Sequence, residues 1–394
     1  MGFGLILERF AVSGLRNLDQ FGIWPAPTIN WITGLNGAGK TSFLEAILLL
    51  SRGRCSSSRK LGSLLGSGRD LLEISALLRS PVTDSSTISS LKFVQSRSGS
   101  SFSEDGRIVS SVHLLRRRLH VRMIAGNSQQ LLEGSPPLRR LFLDWNLFHV
   151  EPDYGRILSD LKKATAQRNA WLRSGACGPA AWDHDYCRLA EAISRQRTKL
   201  VHWMAEFIRG IAPQFGLNQG VGLHYHEGWP AGKGSLHDLL AGSVREDALR
   251  GYTLYGPSRG DLSVRCCDRN SSSSRGEAKL LVFLLQLAAQ NFWANHQGPS
   301  TVWLLDDLEA ELDRRAIQTI LAALDQLSAQ VFVTAIADRN QRPLGHSDGP
   351  VFHVEQAGLT RRGRGRSDDR LPQDDELGAA GVEQWVGRLP EERR

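Results

Sequence analysis

Apolar and polar positions change period several times along the chain, and each change predicts an element. Residues 5–12 alternate and predict a strand; residues 29–33 predict a second strand running into Gly34. Thr41 to Leu50 is apolar at helical spacing and follows a glycine-rich loop. Residues 51–70 read as a Ser/Gly/Arg linker. Residues 71–125 read as short strands between Ser-rich turns, among them Leu91 to Val94 and Val112 to Met123. Pro136-Pro137 reads as a break. From Tyr154 the period becomes helical, with Ile157, Leu161 and Ala164 on one face. A Gly/Pro loop at 174–180 follows, and Trp182 to Phe207 predicts a second helix, ~39 Å long at about 1.5 Å per residue. The two form an αα-hairpin, far too short for a long coiled coil. Residues 216–262 mix turns and strands. Gly276 to Trp293 predicts a helix, Thr301 to Leu305 a buried strand, Arg314 to Leu327 an amphipathic helix and Val331 to Ile336 a further strand. Beyond about residue 358 the apolar residues thin out, and 360–394 reads as a disordered Arg/Gly/Asp-rich tail with a short helical pattern around Val382 to Leu389. No internal repeat is visible.

Composition narrows the class. The 394 residues are 41% hydrophobic and 23% charged, which suits two or three globular domains and excludes whole-chain disorder. No run reaches the roughly 18 apolar residues that a spanning helix needs. Glu8 and Arg9 stand where a signal peptide would be apolar, so a soluble cytoplasmic protein without a membrane partner is expected. Basic residues outnumber acidic by 48 to 41, and most are arginine. That balance is compatible with nucleic acid but is modest for the chain length. Cys55, Cys177, Cys187, Cys266 and Cys267 form no CxxC pair, which argues against a zinc ribbon and for reduced thiols.

The candidate chemistry begins at Gly34-Leu35-Asn36-Gly37-Ala38-Gly39-Lys40-Thr41, a full G-x-x-x-x-G-K-[ST] loop between a predicted strand and a predicted helix. Glycines there let backbone N–H groups turn inward around phosphates, and the helix start adds partial positive charge. Lys40 would reach the β and γ phosphates. The Thr41 hydroxyl would take a position on Mg²⁺, with Ser42 beside it. Val302 to Leu305 is an apolar strand ending in Asp306 and Asp307. Asp306 would hold Mg²⁺, and Asp307 would face the γ-phosphate and polarise the attacking water. About two thirds of the chain separates Lys40 from Asp306, so a large insertion is expected between them. Late in that gap, Ser271 to Arg275 and Gly276 make a serine-glycine turn that opens a long helix. Phosphate loop, long insertion, Ser-x-Gly at a helix start, then an acidic strand end is the order of an ABC-type ATPase head. In that class two heads enclose two ATP molecules. Ser274, Arg275 and Gly276 of one protomer would then touch the nucleotide held by Lys40 of the other, and Asp313 would lie in the loop that crosses the dimer interface.

At this point the residues resemble the RecF family, bacterial recombinational-repair ATPases related to SMC heads. Seven ordered blocks carry the resemblance to about residue 357. Phe10 to Asn17 resembles the family's opening strand, and Gly34 to Ala46 its phosphate loop and helix. Gly134 to Asp144 resembles its Pro-x-x-Arg-Arg block, and Gln167-Arg168-Asn169 its QRN. Gly256 to Leu262 is similar to its GPHR-x-DL, Ser274 to Lys279 to its SRGQ-x-K, and Leu304 to Asp313 to its LLDDL-x-x-ELD. The resemblance implies an α/β fold: an ABC-type P-loop head (1–145 and 236–357) with an inserted helical arm (146–235) and a tail (358–394). It implies an ATP- and Mg²⁺-dependent homodimer on double-stranded and gapped DNA, associated with the nucleoid. Such a dimer acts with RecO and RecR to help RecA replace single-strand-binding protein, and slow hydrolysis releases it. Three departures stand out. Glu277 replaces a Gln, Ser258 replaces a His, and Thr334 stands where transporter ATPases carry a switch His. The alternatives are an ATP-binding scaffold without turnover and another ABC-type subunit. The Q-loop residue that such heads carry falls at Gln129 or Gln130.

Candidate DNA contacts are Arg116, Arg117, Arg118 and Arg122, then Arg139 and Arg140, then Arg168, Arg195, Arg197 and Lys199. Neighbouring arginines on a strand point to opposite faces, so not all of 116–118 can face one ligand. Arg139 and Arg140 have the alternative role of holding the arm to the head. No base-reading motif is present, so binding is expected to be backbone-directed, salt-sensitive and weakly sequence-selective.

Overall fold

A computed structural model describes residues 5–52, 64–66, 69–80, 87–109, 118–176, 181–217, 220–266, 275–337, 349–355 and 358–361. The chain divides into Met1–Thr360 and Arg361–Arg394. The expected tail, most of the expected linker and Arg116, Arg117 and Ser274 lie outside the described residues. In chain order the strands are β1 (Ile6–Leu15), β2 (Leu18–Ile23), β3 (Ile29–Gly34), β4 (Leu71–Ser80), β5 (Thr87–Ser96), β6 (Gly99–Glu104), β7 (Arg107–Ile108), β8 (Val121–Ile124), β9 (Val221–His226), β10 (Asp261–Cys266), β11 (Val302–Leu305), β12 (Gln330–Ile336), β13 (Val351–Glu355) and β14 (Gly358–Arg361). The helices are α1 (Lys40–Arg52), α2 (Gln130–Glu133), α3 (Pro136–Phe148), α4 (Tyr154–Arg173), α5 (Asp183–Ile211), α6 (Leu236–Arg250), α7 (Arg275–Asn295) and α8 (Arg314–Gln326).

Two six-stranded sheets carry the fold. One is antiparallel, in the order β2-β1-β4-β5-β6-β7; the other runs β14-β13-β3-β12-β11-β8, with β13, β3, β12, β11 and β8 parallel. A parallel sheet is covered on both faces, and its strands divide their side chains between two cores with the period of two that a strand imposes. Trp31, Trp303, Leu305, Val331 and Val333 enter the core built on α3, α5, α7 and α8. Ile32, Val302, Leu304 and Phe332 enter the core shared with α1 and the antiparallel sheet. Phe43 of α1 sits at the centre of the second core, with ring centroids 5.5 Å from Phe10, 5.6 Å from Phe21 and 5.8 Å from Phe332. This packing fixes the start of α1 at the tip of β3. The strand order also brings β11 beside β12 and one strand away from β3, so the acidic strand end faces the phosphate loop.

Three expectations change. Pro136 and Pro137 do not break the chain but open α3, where their missing N–H groups are unneeded and their fixed φ suits the first helical turn. The mixed segment 216–262 contains a 15-residue helix, α6. Ser235 caps it by accepting from the Asp238 N–H at 3.1 Å, and Gly251 closes it at φ 73°. The second helix of the hairpin extends to Ile211, a turn beyond the expected Phe207.

Near β8, the buried His120 packs edge-on against His149 at 4.6 Å and Trp293 at 5.8 Å. Burial pushes its pKa down to about 3, and the neighbouring His149 and Arg122 push the same way. An unfolded chain protonates this ring near its ordinary value of about 6.5. Below that pH the unfolded state therefore binds a proton that the folded state refuses, and stability falls as pH drops towards 3. Between pH 7 and 5 the wild type should lose about 2 kcal/mol more than His120→Gln. Urea unfolding of both proteins at the two pH values measures the difference; parallel losses would show that His120 does not titrate this way.

Candidate nucleotide site and its surroundings

The loop between β3 and α1 turns through left-handed backbone at Gly37 (φ 80°) and Gly39 (φ 117°). A Cβ on Gly39 would come 2.8 Å from Leu18 Cδ2, so both conformation and space demand glycine there. Asn17 braces the loop from outside, its Nδ2 donating to the carbonyls of Gly37 at 3.1 Å and Ala38 at 2.9 Å. Lys40 Nζ folds back on the carbonyls of Gly34 (2.8 Å) and Leu35 (3.0 Å). Burial pulls its pKa below the usual lysine range, and Asp307, Asp306 and Glu309 pull it back up. An arriving phosphate would add negative charge and favour the ammonium further.

Across the loop, the Thr41 hydroxyl donates to both carboxylate oxygens of Asp306, at 3.3 and 3.1 Å. Thr334, on β12, donates its hydroxyl to Asp306 Oδ1 at 2.8 Å and accepts from the Asp307 N–H at 2.9 Å. Asp307 stands in the left-handed region at φ 51°. Loop and acidic strand end line one cavity of about 220 Å³, which Asn17, Asn36, Lys40, Thr41, Asp307 and Ile336 help enclose. Of the expected loop residues, Asn36, Gly37, Gly39, Lys40, Thr41 and Ser42 line this space, and Gly34, Leu35 and Ala38 belong to the same loop without lining it. Ile336, 46% exposed, is among its lining residues. A hard divalent cation fits between a hydroxyl and a carboxylate of this kind, and a polyphosphate fits a glycine loop with an ammonium at its mouth.

Sequence reasoning placed Thr334 at the switch-His position but foresaw neither its two hydrogen bonds nor Asn17 as part of this site. Thr334 takes up the place expected for a switch His and ties the two aspartates together. Arg275 and Gly276 open α7, and a Cβ on Gly276 would lie 2.7 Å from the Glu311 carbonyl. The first turn of α7 thus packs on the loop after the acidic strand. Gln129, rather than Gln130, points there: its Nε2 donates to the Arg275 carbonyl and to Glu311 Oε2, both at 3.4 Å. Asp313 accepts from the Ala316 N–H at 2.7 Å and caps α8.

The arginines divide sharply. Arg168 is wholly buried and donates to Asp183 (2.8 Å), Asp247 (2.7 Å) and Thr253 (2.9 Å). Arg197 pairs with Asp144 through two bonds of 2.8 and 3.0 Å and donates to the Pro257 carbonyl and the Tyr225 hydroxyl. Arg139 grips Asp261 at 2.7 and 2.9 Å, and Arg140 donates to the Gly260 carbonyl at 2.7 Å. Arg122 is buried among Gln290, Gln286 and Asn146, with its guanidinium over the rings of Trp145 and Trp293. Five candidate DNA contacts are therefore engaged in contacts within the fold. Arg139, Arg140, Arg168 and Arg197 tie α3 and the helical hairpin to the segments around Thr253, Pro257 and Asp261, and Arg122 joins β8 to α7. Gly256 belongs to the same joint, since a Cβ there would strike the Tyr186 hydroxyl at 1.9 Å. Arg118 (57% exposed side chain, beside Glu104), Arg195 and Lys199 remain at the surface. Arg139→Ala should cost about 1–2 kcal/mol of stability by stranding Asp261. It should leave the salt dependence of any DNA binding unchanged. Denaturation and salt titration check the two halves; a changed salt slope would return Arg139 to the DNA surface.

A family described as RecF/RecN/SMC N terminal domain matches residues 6–346. The DNA replication and repair protein RecF of Pseudomonas putida is 33% identical over 363 residues, covering 90% of this chain and 98% of the relative. That of Azotobacter vinelandii is 34% identical over the same coverage. Among solved structures, the recombination mediator protein RecF-ATP in the RecFOR pathway superposes with a TM-score of 0.73 at 21% identity, over 92% of this chain and 99% of the other. An Smc head from Pyrococcus furiosus gives 0.58 at 15% identity, over 91% and 96%. These structural likenesses establish the ABC-type ATPase head fold. No helix among the described residues is long and apolar enough to cross a membrane.

Proposed function

This chain belongs to the RecF family of DNA replication and repair proteins, and from that premise we propose that it is an ATP-controlled DNA-binding protein of recombinational gap repair. Two copies close on ATP, grip double-stranded or gapped DNA, and work with RecO and RecR to favour RecA loading. Slow hydrolysis then releases the DNA. The observation that carries this reading is the convergence of Lys40, Thr41, Asp306 and Asp307 on one cavity, beside an open rim that a second copy could cover.

The chain's own residues divide the work. The backbone amides from Asn36 to Thr41 and the Lys40 ammonium hold the phosphates. The Thr41 hydroxyl and Asp306 carboxylate, already within hydrogen-bond distance, would hold Mg²⁺, which when bound neutralises charge on the phosphate oxygens. Asp307 would accept a proton from the attacking water, and Thr334 fixes its backbone. Ser274, Arg275 and Gly276 of the second copy would close the open side, with Asp313 in the crossing loop. DNA would meet exposed cations such as Arg118 and Arg195 through its phosphates, not its bases.

Retention of a gapped duplex with ATP and with ADP tests the proposal. ATP should hold the complex at least tenfold longer, and binding should weaken steeply with salt. Equal retention in the two nucleotides would defeat the switch.

A further inference from the structure

The exposed Tyr252 follows directly on a tight helix end. α6 closes on the left-handed Gly251 (φ 73°), whose N–H donates to the Ala248 carbonyl at 3.2 Å, while the Tyr252 N–H donates to the Asp247 carbonyl at 3.2 Å. In a helix end of this form the side chain after the glycine usually folds back on an apolar residue of the last turns. Here the positions it would cover are Glu246 and Asp247. Asp247 is buried on Arg168 at 2.7 Å, and Glu246 accepts from Arg250 at 2.8 Å. With acids at both positions the ring stays at the surface, 36% exposed. The next residue, Thr253, is buried and donates its N–H to Asn169 at 2.9 Å. Tyr252 is thus a surface aromatic on a backbone fixed from both sides.

Three exposed arginines stand at this turn. Arg259 lies over the Tyr252 ring, 4.9 Å from its centroid. The Arg250 guanidinium beside its hydroxyl, and Arg259 after it, hold the phenol below its ordinary pKa. Arg173, the last residue of α4, donates to the Gly251 carbonyl at 3.3 Å. Neither a carbonyl nor a ring face neutralises a guanidinium, so Arg173 and Arg259 keep their charge for a ligand. None of these residues lines the nucleotide cavity. An aromatic ring among arginines suits single-stranded nucleic acid, whose unpaired bases stack on the ring while its phosphates meet the cations. A duplex keeps its bases stacked on one another and offers the ring nothing.

We propose that Tyr252, with Arg173, Arg250 and Arg259 around it, is a single-strand contact that stacks an unpaired base of the gap and holds the neighbouring phosphates. The proposal rests on the DNA-binding reading above, in which the ATP-closed dimer grips a gapped duplex. It assigns the unpaired strand to the joint between α4, α6 and the turn at Pro257–Arg259. Preference for gapped over continuous duplex then arises here and not in the head.

The test compares full-length wild type, Tyr252→Ala, Tyr252→Phe and Tyr252→Trp with Mg²⁺ and ATP, on a continuous duplex and on a gapped duplex of the same length. The gap carries 2-aminopurine, whose fluorescence falls when the base stacks on an aromatic ring. Melting temperatures establish that each variant folds. Tyr252→Ala should lose about five- to hundredfold in affinity for the gapped duplex, the range expected for one stacked base. It should lose nothing on the continuous duplex, and the fluorescence change should vanish. Tyr252→Phe and Tyr252→Trp should keep both, because the ring and not the hydroxyl does the stacking. Arg259→Gln should lower the salt slope for the gapped duplex by about one.

Equal affinity of Tyr252→Ala and wild type for the gapped duplex would overturn the proposal. So would an equal loss on both DNAs, which would make the patch a duplex contact. Binding of a poly-aspartate peptide that Tyr252→Ala abolishes, with gapped DNA unaffected, would overturn it in favour of an acidic protein partner. Wild type that binds neither DNA would defeat the DNA-binding reading itself and the proposal with it.

Discussion

Replacing Lys40 with alanine should cost two to three orders of magnitude in ATP affinity while leaving the fold intact. The ammonium is the cation positioned in the loop mouth, and a hydrogen bond to a charged partner is worth roughly 1.5–3 kcal/mol. Here one group serves several phosphate oxygens. Its present partners are two main-chain carbonyls, of Gly34 and of the exposed Leu35, and the side chain itself is only partly buried, so its removal does not open a core cavity. Equilibrium dialysis with a radiolabelled nucleotide reads the affinity, and circular dichroism reads the fold. Unchanged affinity would show that nucleotide binds elsewhere.

Arg168→Met should produce the largest loss of stability of any single substitution considered. The guanidinium has no exposed surface and balances Asp183 and the fully buried Asp247. Removing it strands two carboxylates in the joint between α4, α5 and α6, a change that costs about 3–5 kcal/mol. Asp247 also accepts from the Leu254 N–H and Ser243 hydroxyl, so the damage spreads into the backbone after α6. Urea denaturation of the variant measures it. A loss below about 1 kcal/mol would mean that the network carries no net stability. The double variant Arg168→Met, Asp247→Leu should recover part of the loss, because it removes one of the stranded charges.

Much of the fold was written in local pattern. β11 is a continuous apolar run, and β3 and β12 are apolar apart from Asn30, Thr33, Gln330 and Thr334, because both of their faces are covered, and α5, α7 and α8 are long enough for their period to be read. The phosphate loop and acidic strand end were legible because their chemistry demands particular residues in a particular order. What escaped was decided at long range. The inward face of α6 carries Ser243 and Asp247 beside Leu236 and Leu240, so its periodicity in hydrophobicity is weak. The signals that could have found it were the cap Ser235 and the closing Gly251. β13 is five residues long and owes its place to pairing with β3, more than 300 residues earlier.

The arginines show the limit most clearly. A sequence records each charge but not the carboxylate that answers it, and Arg139 meets Asp261 across 122 residues while Arg168 meets Asp247 across 79. The blocks Gln167 to Asn169 and Gly256 to Leu262 stand far apart in the sequence. Each is instead engaged in the joint around the helical hairpin: Asn169 accepts from the Thr253 N–H and hydroxyl, and the Pro257 carbonyl accepts from Arg197.

Every functional step proposed above requires ATP to be shared between two copies of this chain. Multi-angle light scattering on the full-length protein with Mg²⁺, compared across ATP, ADP and no nucleotide, reads that sharing without an intermediate. The 43.6 kDa mass should double with ATP alone. A protein that binds ATP at saturation yet keeps the monomer mass would contradict the shared site.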